Sequence, residues 1–304
     1  MCTNYEEVSL GRDRYRDEPP LTTYNEENDG PITLATKSGH TKVVETLLEI
    51  NGISLNERGK DGWLPIHHAA HLGHGNCVNM LLSKDEKVAD LRVDVTNETP
   101  LMLACANPHI NSNAVIIKLL RVAPNINAKD YTGRTAIMHA AETGSLFILE
   151  KLLEQPNVDY NLMDDQERTM FFHLVCRDMN NASEWDQEHI LKLLHIMQGH
   201  GLSSKTAGDK TILMAMAESR NHLFLQTLLS RDDPYVQDSI NAQNVCGRTA
   251  LSYAISNDHK DMVELFLSQD SINLGLQDED GETALSLACD IGMTEIARLL
   301  LNHP

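Results

Sequence analysis

Large apolar residues return along the chain at a nearly fixed interval. Measured from eight anchor residues (Gly30, Leu64, Thr99, Thr135, Thr169, Thr211, Thr249 and Thr283), the spacings are 34, 35, 36, 34, 42, 38 and 34 residues. Two positions after each anchor stands Ile32, Ile66, Leu101, Ile137, Phe171, Leu213, Leu251 or Leu285. Five positions after it, six units carry alanine: Ala35, Ala69, Ala104, Ala140, Ala254 and Ala288. A second apolar pair follows at 17 and 18 positions in six units, for example Leu47-Leu48, Leu152-Leu153 and Leu228-Leu229. It is delayed to Leu119-Leu120 in unit three and to Leu193-Leu194 in unit five.

Each recurrence has a physical cause. Threonine at the anchor is a good N-cap, and Pro31, Pro65 and Pro100 fall at the first helical position, where a missing N–H costs nothing. The apolar and alanine positions line one helical face, alanine allowing close approach of a neighbour. Gly39, Gly73 and Gly144 then supply the left-handed residue that ends the helix. A second amphipathic helix follows, as in TKVVETLLEI and SLFILEKLLEQ. The predicted unit is helix, turn, helix and polar loop, and no single unit can bury its own apolar face.

The segments LPIHHAAHLGH, TPLMLACA, GRTAIMHAAETG, GRTALSYA and GETALSLA, with INAKD and INAQN between units, carry the pattern DxxGxTPLHxAAxxGH. That pattern resembles the ankyrin repeat, over residues 30–304. The resemblance implies an all-α fold: an ankyrin-repeat solenoid of about eight stacked helix-turn-helix units joined by hairpin-like loops. Residues 1–29, polar and interrupted by Pro19-Pro20, match no repeat and are expected to form a disordered tail or a cap on the first unit.

The thirteen residues PIHHAAHLGHGNC hold four histidines and a cysteine, the one stretch suggestive of a metal site. The resemblance assigns His67 to the structural histidine that ties the turn to the helix, and His74 to the Gly-His link between helices. His68 and His71 remain, expected on the exposed side of the first helix, with His139 and His173 at the position of His68. Stacked helices lie about 8–10 Å apart, whereas zinc needs ligands at roughly 2 Å, so no metal or other cofactor is expected.

Composition narrows the function. Forty-four acidic against twenty-five basic residues give a net charge of -19, which repels nucleic acid and favours a basic or neutral protein segment as partner. The N-terminus lacks the apolar core of a signal peptide, and no apolar run reaches membrane-spanning length, pointing to an intracellular chain, cytoplasmic or nuclear. Six scattered cysteines form no disulfide or zinc pattern. There is no phosphate loop, GxSxG elbow or HExxH, so no catalytic residues are assigned.

The resemblance implies binding on a concave face made of loop tips and first helices. Carried over position by position, the candidate partner-binding residues are Lys60, Asp61, Trp63, His68, His71, Glu98, Leu103, Tyr131, Arg134, His139, Glu142, Arg168, Arg248, Tyr253 and Glu282. Trp185 joins them from the longest insertion, CRDMNNASEWDQEH, where it either contacts a partner or folds back on the helices. Asn127, in LLRVAPNINAKD, resembles the loop asparagine that asparaginyl hydroxylases modify; the alternative is an ordinary turn asparagine. The expected function is a non-enzymatic, monomeric interaction module acting as adaptor, scaffold or inhibitor. The alternative is the docking or sensory arm of a larger channel, kinase or ligase.

Overall fold

The computed structural model describes residues 24–50, 52–107, 112–122, 124–176, 191–194, 205–230 and 234–303. Helices alternate in pairs. The first helices of the units are Pro31–Lys37, Pro65–His71, Pro100–Ala106, Ala136–Thr143, Met170–Val175, Ile212–Glu218, Ala250–Ser256 and Ala284–Ile291. The second helices include Thr41–Leu48, Gly75–Lys84, Ser112–Arg121, Leu146–Leu153, His222–Leu229, Lys260–Leu267 and Thr294–Asn302. A 3-10 turn, Glu86–Asp90, and a short helix, Pro234–Ser239, lengthen two of the connections. Among the described residues the only β pairing is an isolated bridge between Lys205 and Thr211. First helices pack on first helices of the adjoining units, second helices on second, and each pair on itself.

The repeated apolar positions form a continuous core. Ile32, Ile66, Leu101, Ile137, Phe171, Leu213 and Leu251 are all fully buried, as are Ala69, Ala104, Ala140, Ala254 and Ala288. Leu174 and Met216 take the alanine position in units five and six and are fully buried too. There, Phe171 meets Phe224 edge to face at 5.9 Å, joining unit five to the second helix of unit six. Burying one such side chain contributes roughly 2–3 kcal/mol.

The caps are reciprocal. The Thr99 hydroxyl accepts from the Met102 N–H at 3.3 Å while the Thr99 N–H reaches the Met102 thioether at 3.4 Å. Thr211 and Met214 repeat this arrangement, and in units seven and eight Ser252 and Ser286 replace methionine, accepting from the Thr249 and Thr283 N–H groups at 2.8 and 2.7 Å. Leu64 has no side-chain oxygen to cap with; the His67 ring Nδ1 accepts its N–H instead, at 3.1 Å. Thr135 is an exception to the expected capping, since its hydroxyl makes no cap bond and only its N–H is met, by the Met138 sulfur. Gly39, Gly73 and Gly144 end their helices with φ of 69°, 75° and 70°, as the sequence predicts.

Successive loops are joined backbone to backbone. The N–H four residues before the anchor donates to a carbonyl of the preceding loop in Lys60 to Glu27, Tyr131 to Thr96, Asp165 to Thr132, Val245 to Gly208 and Glu279 to Cys246, at 2.8–3.2 Å. The first loop begins before the first anchor. Asn25 accepts from the Glu27 and Asp29 N–H groups, and Asp29 is buried, so residues 24–29 of the segment assigned to the tail form the first finger. Residues 1–23 lie outside the described residues.

Candidate interaction face

In units one, four, five, seven and eight the finger is held by one carboxylate or amide at its base, Asn25, Asp130, Asp164, Asn244 or Asp278. Asp130 accepts from the Thr132 and Arg134 N–H groups at 2.8 and 2.9 Å and from the His139 ring at 3.0 Å. Asp164 does the same with Gln166, Arg168 and His173. Asn244 bonds the N–H groups of Cys246 and Arg248, and its amide donates to the Tyr253 hydroxyl. Asp278 accepts from Asp280 and Glu282. In unit two the equivalent position is Gly59, where an added Cβ would meet Asp29 Oδ1 at 2.5 Å, so the buried Asp29 of unit one excludes a side chain there. Asp61 substitutes from within the tip, accepting from the Trp63 N–H and standing 3.5 Å from the His68 ring. Burial raises the Asp130 carboxyl, but its hydrogen bonds from His139, Thr132 and Arg134 outweigh that and hold it far below the usual range. Asp164 is lowered in the same way, Arg168 leading.

Four residues expected on the exposed side of the first helices are buried. His139 and His173 are buried because each ring turns inward to its finger carboxylate, and His68, 4% exposed, lies under Trp63 with its Nε2 3.5 Å from the exposed Asp61. Burial lowers the pKa of His68 and His173. Leu103, expected on the exposed side of its helix, is only 4% exposed. In His67, Nδ1 accepts from Leu64 and Nε2 donates to the Leu91 carbonyl at 2.9 Å, which fixes the neutral tautomer; burial brings its pKa down to about 4. Among the described residues no three His, Cys, Asp or Glu side chains converge on one point.

The remaining candidates do reach the surface, unevenly. Tyr131 is 65% exposed at a finger tip, with Val95 and Val245 at the same position in units three and seven. Lys60 and Asp61 are exposed beside them. Trp63 is half-buried, its ring 5.1 and 5.2 Å from those of His68 and His71, so it covers the unit-two histidines and leaves part of its surface free. Tyr253 is also half-buried, carrying the Lys210 ammonium 5.0 Å from its ring. Glu98 and Glu282 are half-buried at the finger bases, and Glu142 is exposed. Arg134 pairs with Glu142 at 2.9 Å and Arg168 with Asp164 at 2.8 Å, while Arg248 comes no closer than 4.0 Å to Asp278. Trp185 lies outside the described residues.

Asn127 is elsewhere, on the side of the connecting loops. Its amide donates to the Asn157 carbonyl at 2.7 Å and its oxygen accepts from the Asp159 N–H at 2.9 Å. Asn241 bridges Ser271 and Asn273 in the same way. The side chain therefore links two units, where a turn asparagine would serve its own loop alone.

The sequence reading passed over Lys210, paired with Glu218, although Lys210 precedes its anchor just as Arg134, Arg168 and Arg248 do. The finger carboxylates were visible only as the first letter of the repeat pattern; their role depends on the backbone N–H groups that the turn brings round to them.

Comparison with known proteins agrees with this architecture. The model for ankyrin repeats (three copies) matches residues 17–92, 87–164 and 179–278, and that for a single ankyrin repeat matches 280–304. Over 93% of its length the chain is 26% identical to the ankyrin repeat and KH domain-containing protein mask-1 of Caenorhabditis elegans, of which it covers 12%. It is 31% identical to the human transient receptor potential cation channel subfamily A member 1 over 43% of the chain and 11% of that protein. A further match, 31% identical over 33% of the chain, is to mouse ankyrin repeat and SOCS box protein 2, 15% of which is covered. The chain thus spans only a small part of the relatives it matches. Repeat period, reciprocal caps, stacked fingers and family matches together make this chain a member of the ankyrin repeat family.

Proposed function

We propose that the chain is a non-enzymatic protein-interaction module that holds one segment of another protein across its finger tips and the adjoining ends of its first helices. The observation that carries this reading is how the finger tips are built. The Tyr131 and Val245 amides are tied into the ladder between loops, yet their side chains remain 65% and 56% exposed, and Val95 at the same position in unit three is 70% exposed. Exposed aromatic and apolar side chains on a preorganised scaffold are effective binding anchors. Trp63 and Lys60 extend the same face.

The acidic balance of the whole chain favours a partner that is neutral or basic overall, in the cytoplasm or nucleus. Among the described residues no helix is long and apolar enough to cross a membrane. Hydroxylation at Asn127 would require releasing both of its bonds to the next unit, so it belongs to this reading only as a modification of an opened loop.

A second reading, docking arm of a larger protein, is favoured by the similarity to a cation channel and a SOCS box protein of which the chain covers 11% and 15%. Sequencing transcripts across codon 304 separates the two.

The interaction face itself is tested by affinity capture from cell extract with the intact chain and with Tyr131→Ala combined with Val95→Ala, matched for folding by circular dichroism. Both side chains are mostly exposed, so the fold is expected to persist while captured partner falls at least about tenfold. Undiminished capture would remove the finger tips from the site.

A further inference from the structure

The residue immediately before the anchor is basic in four consecutive units: Arg134, Arg168, Lys210 and Arg248. In a chain of net charge -19 this is a local reversal, and it lies on one side of the molecule because the first helices pack in succession. The four are not equivalent. Arg134 and Lys210 pair with Glu142 and Glu218, seven residues past their anchors, and those carboxylates are the more exposed partners, at 52% and 46% against 26% and 22%. In units five and seven that helix position holds Cys176 and Ser256 instead, so the same pairing cannot form.

Arg168 and Arg248 turn to the finger carboxylates. Asp164 and Asp278 are only 1% and 7% exposed, while the arginines are 27% and 41% exposed. Solvent meets the cation of each pair and not the anion. Between units five and six, Arg168 and Lys210 border a cavity of about 430 Å³ whose wall includes Phe172 and Thr206. The face therefore presents two cationic heads two units apart, with a recess and an ion pair between them.

We propose that this part of the face takes an extended, diacidic segment of a partner protein, one carboxylate on Arg168 and the other on Arg248. This rests on the reading of the face as an interaction surface and names the chemistry that fixes register there. Successive helices are about 8–10 Å apart, so two units span roughly 16–20 Å. An extended chain advances about 3.3 Å per residue, which places the two acidic residues about five to six positions apart. Screening over about 8 Å at physiological salt confines the repulsion of the remaining surface, so such a segment can belong to a partner that is neutral or basic overall.

The test is fluorescence anisotropy with the full chain and a labelled peptide of about ten residues, rich in threonine and proline, carrying two glutamates six positions apart. Control peptides replace both glutamates by glutamine or place them side by side. The spaced peptide is expected to bind about tenfold more tightly than either control and to weaken with added salt. Arg248→Gln, which disturbs no contact shorter than 4.0 Å to Asp278, is expected to abolish that preference without changing the melting temperature. Equal binding of the glutamine peptide, no binding of any peptide, or a preference that survives Arg248→Gln would overturn the proposal. Loss of capture with Tyr131→Ala and Val95→Ala alongside such a failure would leave the interaction face standing and remove only its acidic specificity. Retained capture with an Arg248-dependent peptide would remove the finger tips instead.

Discussion

His67 is held between two backbone groups, accepting from Leu64 and donating to Leu91, and only the neutral ring can do both. Burial lowers its pKa from 6.5 to about 4. The unfolded chain therefore binds more protons between those values, and stability is complete above about pH 6.5 and lost as pH falls through 4. At about 1.4 kcal/mol per pH unit this amounts to roughly 3 kcal/mol, and the lowered His68 and His173 act in the same direction. The lowered Asp130 and Asp164 act in a different window: their stabilisation is present above about pH 4 and lost on further acidification. His67→Gln should lower stability at pH 7 and flatten the dependence between pH 6.5 and 4, measured by urea unfolding at each pH. Parallel curves for the two proteins would show that His67 is not the titrating group.

At the scale of the finger, stacking and backbone conformation can be separated. Gly247 and Gly281 occupy the same position in units seven and eight, with φ of 71° and 79°. A Cβ on Gly247 would lie 2.8–3.0 Å from the backbone of Asp278 and Glu279 in the next loop; on Gly281 it would meet nothing within 4 Å. Gly281→Ala should therefore cost only the left-handed conformation, about 1 kcal/mol, and Gly247→Ala a further 1–3 kcal/mol for displaced backbone. Equal losses in urea unfolding would mean that the loops are not stacked this tightly. Glu167 takes the equivalent turn in unit five with φ of 59°, so an irregular letter in the sequence conceals a regular finger. The elements themselves were legible because caps, glycines and apolar spacing act within one unit: Thr99 and Gly144 announce a helix locally. The face was less legible because burial of His68, His139 and Leu103 is decided between loop and helix or between units. Burial at the His139 and His173 position follows from what the finger carboxylate reaches, and a repeat pattern alone does not contain that contact.

For the whole molecule, stability is a sum of unit terms and couplings between adjoining units, since each unit leans only on its neighbours. Unit five is where such a coupling can be isolated. Its first helix, Met170–Val175, is six residues long and entirely buried, and Phe171 reaches across to Phe224 in unit six. Phe171→Ala removes that ring from both units and should cost about 3–5 kcal/mol. Because the loss falls at a junction inside the array, it does more than lower the midpoint. Units one to four and units six to eight keep their own caps, finger carboxylates and interfaces, and each group has enough neighbours to remain folded after the other opens. The parent chain should then unfold in urea as one transition by circular dichroism, and Phe171→Ala as two, the first accounting for only part of the helical signal. A single transition at a lower urea concentration would mean that coupling through the remaining junction contacts still exceeds the stability difference between the two halves.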